Sequence, residues 1–201
     1  TAELTDIITD GADEETDEAL RERFYEKVRK PATSGNKHHY RQWALEVPGV
    51  GDAKVFPLDS GDGTLTVMIV DVDKARNPSL EPAVRDYIET VRPIGATVTV
   101  SSPTMRSVNV SANVILDGTK TLDDVLAMFK SQFTEYLKSL VFVEYRVSYA
   151  KIGSLLLNIE GVQDYDDLRL NNSTGNIIVG EKEIPAMGTV SLEEVHTIAA
   201  D

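Results

Sequence analysis

Leu45-Glu46-Val47-Pro48-Gly49-Val50-Gly51-Asp52 is echoed in Leu157-Asn158-Ile159-Glu160-Gly161-Val162-Gln163-Asp164. Leu, Gly, Val and Asp coincide at four of the eight positions, and Val47 stands opposite Ile159. Each copy closes an amphipathic helical stretch. Glycine is the residue expected where a helix ends in the left-handed conformation, and the valine beyond it can pack back on the helix. The repeat therefore predicts two related small α+β units that share a helix-to-sheet corner, with a strand pair following the helix in each copy.

Outward from the first copy, Tyr40, Trp43 and Val47 fall on one side of a helix over His38 to Glu46. Before it, Glu14 to Lys30 places Leu20, Phe24 and Val28 on one face, with acids leading, bases following and Pro31 as the stop. These two form an N-terminal helical pair. After the corner, strands over Ala53 to Leu58 and Thr64 to Asp71 flank Asp59-Ser60-Gly61-Asp62-Gly63, a hairpin turn. A helix with Ser79 as N-cap carries Leu80, Val84, Ile88 and Val91, and a strand follows over Thr97 to Ser101.

Ser102-Pro103 is read as the boundary. The division is an acidic entry segment over 1–12, a first domain over 13–103 and a second over 104–201. The second opens on an alternating strand, Arg106 to Leu116, with Val108, Val110, Ala112, Val114 and Leu116 on one face. Thr121 and Asp124 have the spacing of a capping box. Behind them Leu122, Leu126, Phe129, Phe133, Leu137 and Leu140 form the strongest amphipathic pattern in the chain. A helix over Ala150 to Ile159 leads into the second corner. Strands near Asp167 to Leu170 and Thr189 to Leu192 enclose a polar loop, Asn171 to Gly188. The fold class is α+β, with helices packed on a mostly antiparallel sheet in each unit.

The chain has 201 residues, 41% of them apolar, and each unit of roughly 90 residues is large enough to hold a core. There is no cysteine, which excludes disulfides and thiolate metal sites. No apolar run approaches the roughly 20 residues of a membrane helix, so membrane insertion is not expected. The acidic start lacks the basic region of a signal peptide. The net charge is −13, and residues 1 to 18 hold eight acids and no base. Without a basic patch to release counterions, nucleic acid is not an expected partner.

Motifs for chemistry are absent. His38 and His39 adjoin and would face different sides of a helix, whereas metal ligands sharing a helix need a spacing of three or four. His196 stands alone. The Asp59 turn resembles the start of a calcium loop, but its twelfth position is Val70 rather than Glu. Asp71-Val72-Asp73 lacks a third carboxylate at a useful spacing. Gly49-Val50-Gly51 follows a helix and precedes a strand, the reverse of a dinucleotide fingerprint. No Gly-x-Ser-x-Gly elbow is present. Asn171-Asn172-Ser173-Thr174 holds two overlapping glycosylation acceptors, which mean little without a secretory signal. No catalytic residue, metal ligand, cofactor or small-molecule substrate is expected. The residues that stand out are structural: Trp43 as a core anchor, and Pro48, Gly49, Val50, Gly161 and Val162 at the two corners.

Several stretches, in order, resemble the baseplate J-like family of contractile phage tails and related injection machines. They are Gly11 to Arg23; Gly35-Asn36 with Tyr40 to Val50 and Ala53-Lys54-Val55; Arg92 to Val100; and Ile152-Gly153 with Gly161-Val162 and Asp164-Tyr165. The resemblance runs from about residue 11 to 192. It implies the C-terminal portion of a wedge protein of the baseplate, assembled in the bacterial host cytoplasm into the virion tail. The implied partners are other baseplate and tail proteins and further copies of the chain, and no catalytic motif is carried over. Two other function classes remain beside it. A carboxylate-dependent hydrolase of cell-wall glycan would need two acids converging in a cleft. A host-surface binding module would need an exposed aromatic or polar cleft.

Overall fold

The computed structural model describes residues 35–195, together with 16–18, 20, 21, 24 and 25. The expected acidic entry segment over 1–12, Val28 of the first helical stripe and His196 lie outside the described residues. Residues 17, 18, 20, 21, 24 and 25 are helical, with Leu20 and Phe24 exposed.

The first unit starts with helix α1 (Lys37–Leu45), whose N-cap Asn36 accepts a hydrogen bond from the His39 backbone N–H at 2.9 Å. α1 buries Tyr40, Trp43 and Ala44, and the chain turns through Val47-Pro48-Gly49 into β1 (Val50–Pro57). β1 is antiparallel to β2 (Thr64–Asp71). A short 3-10 turn, Pro78–Leu80, leads into α2 (Glu81–Val91), and β3 (Thr97–Ser101) returns parallel to β2. Asn77 caps the 3-10 turn, and the α-helix itself has Leu80 at its N-cap position with no side-chain cap, where Ser79 was expected. The Asn77 Oδ1 takes both the N–H and the hydroxyl of Ser79, so Ser79 is spent inside the turn and the α-helix starts at Glu81.

The second unit runs β4 (Thr104–Leu116), α3 (Leu122–Leu140), β5 (Arg146–Val147), α4 (Tyr149–Leu157), β6 (Val162–Leu170), β7 (Ile177–Ile178) and β8 (Glu183–Glu194). The capping box at Thr121 and Asp124 is formed in both directions. Val125, Phe129, Phe133, Leu137 and Leu140 of α3 are buried against Val108, Val110, Ala112 and Val114 of β4, with Ile152 and Leu156 of α4 completing the core. Each such large side chain stabilises the fold by about 1.5–3 kcal/mol through removal from water.

Both units build one sheet plan. The sheet orders are β1-β2-β3 and β6-β4-β8. In each, the strand after the glycine corner is antiparallel to the centre strand, and the other edge strand is parallel to it. The helix entering the corner lies on the strand it feeds, the other helix lies on the parallel edge strand, and the two helices touch. The chain order differs. The corner helix and strand precede the centre strand in the first unit. In the second they sit between α3 and β8. The expectation that a strand pair follows each corner therefore holds only for the first copy, since β6 pairs back to the earlier β4.

The α+β class is as expected; where a mostly antiparallel sheet was expected in each unit, each three-stranded sheet has one antiparallel and one parallel pairing. The loop expected over Asn171 to Gly188 in fact contains β7 and the first half of β8. Pro185 and Gly188 read as loop residues, yet β8 is an edge strand, where proline is tolerated. The register shift between Val108 and Val110 takes up Gly188. The polar start of β6 hid its true length for the same reason: an edge strand carries charge on its open side.

Candidate functional site

The two corners match in detail. Val47 N–H donates to the Ala44 carbonyl (3.3 Å) and Val50 N–H to that of Val47 (3.2 Å). Ile159 donates to Leu156 (3.2 Å) and Val162 to Ile159 (3.1 Å). Gly49 and Gly161 have φ of +92° and +97°, a region that L side chains rarely adopt. Gly51 and Gln163 each fall at a register shift, and the carboxylates of Asp52 and Asp164 each accept the next residue's N–H at 2.8 Å. Trp43 is buried and meets Tyr40 edge-on and the His39 ring at 3.8 Å. Pro48 is exposed, Val50 is buried and Val162 is half-buried.

The copies part company at the aspartate. Asp52 is bonded by Lys74 at 2.7 Å and Arg41 at 2.9 Å. Burial works to raise its carboxyl, but the hydrogen bonds and charges of Lys74 and Arg41 outweigh it and hold the group below the usual carboxylate value. These bonds tie the corner to the loop after β2.

A seam joins the units. Paired residues share a sheet face, so Lys54, Phe56, Thr66, Met68, Val70, Thr99 and Ser101 line the side of the first sheet away from α1 and α2. The second unit covers this side. Val70 packs with Val141, Ile184 and Phe142. Lys54 Nζ donates to Tyr145 Oη and lies over the rings of Phe56 (4.6 Å) and Tyr145 (4.4 Å). Asp59 accepts from Lys182 at 2.6 Å and from the Thr66 hydroxyl at 2.7 Å, bonds that hold its carboxyl below the usual value. Asp73 faces Lys138 of α3 at 3.9 Å. The run Thr64 to Asp71 is almost unbroken in apolar character because β2 is buried on both faces.

At the outer face of the second sheet, Asn109 and Asn171 form a clamp. Asn171 Oδ1 accepts from the Asn109 backbone and side chain, both at 2.9 Å, and Asn109 Oδ1 accepts from Thr189 N–H at 2.8 Å. One asparagine of the centre strand thus fastens both edge strands. The clamp lines an open depression of about 360 Å³ with Met105, Arg106, Ser107, Asn172 and Glu183. Glu183 is its one carboxylate and accepts from Gly180 N–H at 2.8 Å.

The expected turn residues are structural. The Asp71 carboxylate accepts from the N–H groups of Asp73 and Ala75, closing the loop after β2. His39 is engaged through Gly35 N–H at 3.4 Å. Among the described residues, no three His, Cys, Asp or Glu side chains group in a way that would hold a metal ion. No helix among them is long and apolar enough to cross a membrane. The seam and the clamp were not foreseen. The two-faced hydrophobicity of Thr64 to Asp71 was the available signal for the seam. The clamp left none, since two asparagines 62 residues apart announce nothing.

Comparison with known proteins points one way. The Baseplate J-like central domain matches residues 32–102, and the Baseplate J-like protein C-terminal domain matches 108–193. Phage-like element PBSX protein XkdT of Bacillus subtilis is 35% identical over 202 residues, covering 96% of this chain and 58% of the relative. Baseplate protein gp47 of Escherichia phage Mu is 30% identical over 195 residues, covering 90% and 52%. The chain thus spans little more than half the length of these relatives. In the cryo-EM structure of the anti-feeding prophage baseplate, one chain shares the fold with a TM-score of 0.61. It is 15% identical, with 86% of this chain and 42% of that one covered. With two of the family's domains matched in order across its described residues, this chain belongs to the baseplate J-like family of phage and prophage tail proteins.

Proposed function

We propose that the chain is a wedge component of a phage-type tail baseplate and acts through contacts with other baseplate and tail proteins and with further copies of itself. Its place would be the tail of the virion, after assembly in the bacterial cytoplasm. The observation that carries this is the ordered match of both baseplate J-like domains over 32–193. The geometry accords with it: the carboxylates with shifted titration, such as Asp52, Asp59 and Asp124, are engaged with lysine, arginine, threonine or backbone groups that hold corners, turns and caps together. The corner positions Trp43, Pro48, Gly49, Val50, Gly161 and Val162 are proposed as scaffold. A domain boundary at Ser102-Pro103 is supported by separate apolar cores on either side. A glycan hydrolase finds no support in the Asn109 depression, which offers Glu183 without a second acid.

Size exclusion with light scattering tests the reading, on this chain and its full-length parent, with and without the other baseplate proteins of the same phage. A defined oligomer or a stable complex is expected. Monomers that bind no baseplate protein in either form would overturn it.

A further inference from the structure

We infer that the two units work as one rigid body, whose mutual angle is set by the seam rather than by the two-residue link between β3 and β4. The back of the first sheet is built as a socket. Thr66, Met68 and Val70 are 7%, 4% and 0% exposed, a degree of burial that a water-facing sheet side does not have. What packs on Val70 belongs to the second unit: Val141 and Phe142 after α3, and Ile184 of β8.

The polar contacts fix the fit. Surface ion pairs contribute little to stability, and Lys182 is about half exposed, so the apolar plug supplies the adhesion. The ion pairs and the Lys54 clasp act through their placement. Asp59–Lys182 lies at the Thr66 end of the seam, and Asp73–Lys138 lies past the Asp71 end of β2. Thr66 and Asp71 lie five positions apart along the strand, roughly 17 Å at about 3.3 Å per residue. A single point of contact would leave a pivot, whereas contacts spread along a strand resist rocking. The link meets the same elements. Ser102 N–H donates to Glu81 Oε1 at 2.8 Å and Thr104 N–H to the Lys182 carbonyl at 3.0 Å. Lys182 therefore ties the start of β4 and the Asp59 turn together.

The chain's lack of cysteine allows a direct test. Spin labels on Asp86→Cys of α2 and Lys151→Cys of α4, both exposed helical positions, report the distance between the units by pulsed electron resonance. The otherwise unaltered protein should give one narrow distribution. The Lys54→Ala/Lys182→Ala pair and, separately, Ile184→Ser should broaden it at least twofold, with far-ultraviolet circular dichroism and Trp43 fluorescence unchanged. Lys120→Ala, which removes an ion pair to Glu160 within the second unit, should leave it narrow. If Ile184→Ser fails to fold, the lysine pair alone decides. A broad distribution in the unaltered protein overturns the inference. So does a narrow one in the folded seam variants, which would hand the angle to Ser102-Pro103.

Discussion

Alanine at the two corner glycines should not be equally costly, although the two corners share the same backbone hydrogen bonds. Both glycines hold a positive φ, +92° at Gly49 and +97° at Gly161, and placing an L side chain there costs about 1–2 kcal/mol. The neighbours then separate them. A Cβ at Gly49 would stand 3.2 Å from Leu80 Cδ2, the movable end of a half-buried side chain. At Gly161 it would stand 2.6 Å from Lys120 Cβ and 2.8 Å from Lys120 Cγ, atoms close to the backbone that cannot swing aside. Overpacking of that kind adds about 1–3 kcal/mol. Gly49→Ala should therefore lose about 1–2 kcal/mol and Gly161→Ala about 2–5 kcal/mol. Urea unfolding followed by circular dichroism measures both, and the fluorescence of Trp43, the one tryptophan, follows the first unit alone. A Gly161→Ala loss equal to or smaller than that of Gly49→Ala would refute the argument from Lys120.

Phe133→Ala removes a fully buried ring stacked on Phe129 at a 5.7 Å centroid distance and should cost about 3–5 kcal/mol by calorimetry. Thr121→Ala should cost about 1 kcal/mol through loss of the cap on α3. It should also flatten the acid limb of the stability curve. Hydrogen bonds from Thr121 hold the Asp124 carboxyl low, so that contribution is present above the ordinary carboxylate value and fades as pH falls through the lowered one. Midpoints at pH 7 and pH 3 would show the narrowed difference. Asn109→Ala leaves Thr189 N–H without its side-chain acceptor, so amide exchange at Thr189 should accelerate while exchange within α3 stays unchanged. Asp52→Asn should lower stability near neutral pH and lose that effect in acid, because the ion pairs to Arg41 and Lys74 need the ionised group.

What the chain advertised locally was legible. The α3 stripe, the Thr121 cap, the Asp59 hairpin turn and the corner glycines all depend on spacings of a few residues. What depends on distant partners was not. β8 was half concealed because Pro185 and Gly188 are loop-formers except on a strand with one free edge. β6 was shortened in the reading because Asp164, Asp166 and Asp167 break its alternation. The long apolar run of β2 reads only as one arm of a hairpin, and it takes the folded chain to show Val141 and Ile184 packed on its second face.

The two chain orders of one sheet plan also set two folding routes. β1 and β2 pair residues only 8 to 21 positions apart, across a tight turn. Their counterparts β6 and β4 must close 46 to 60 positions, and β4 with β8 closes 79 or 80. Loop closure grows costlier with length, and non-local pairing slows folding. As the chain leaves the ribosome, the first unit can complete its sheet while the last strand of the second is still unmade. The slower half then finishes against a surface already in place. A refolding experiment should show the Trp43 signal recovering before the bulk of the strand signal.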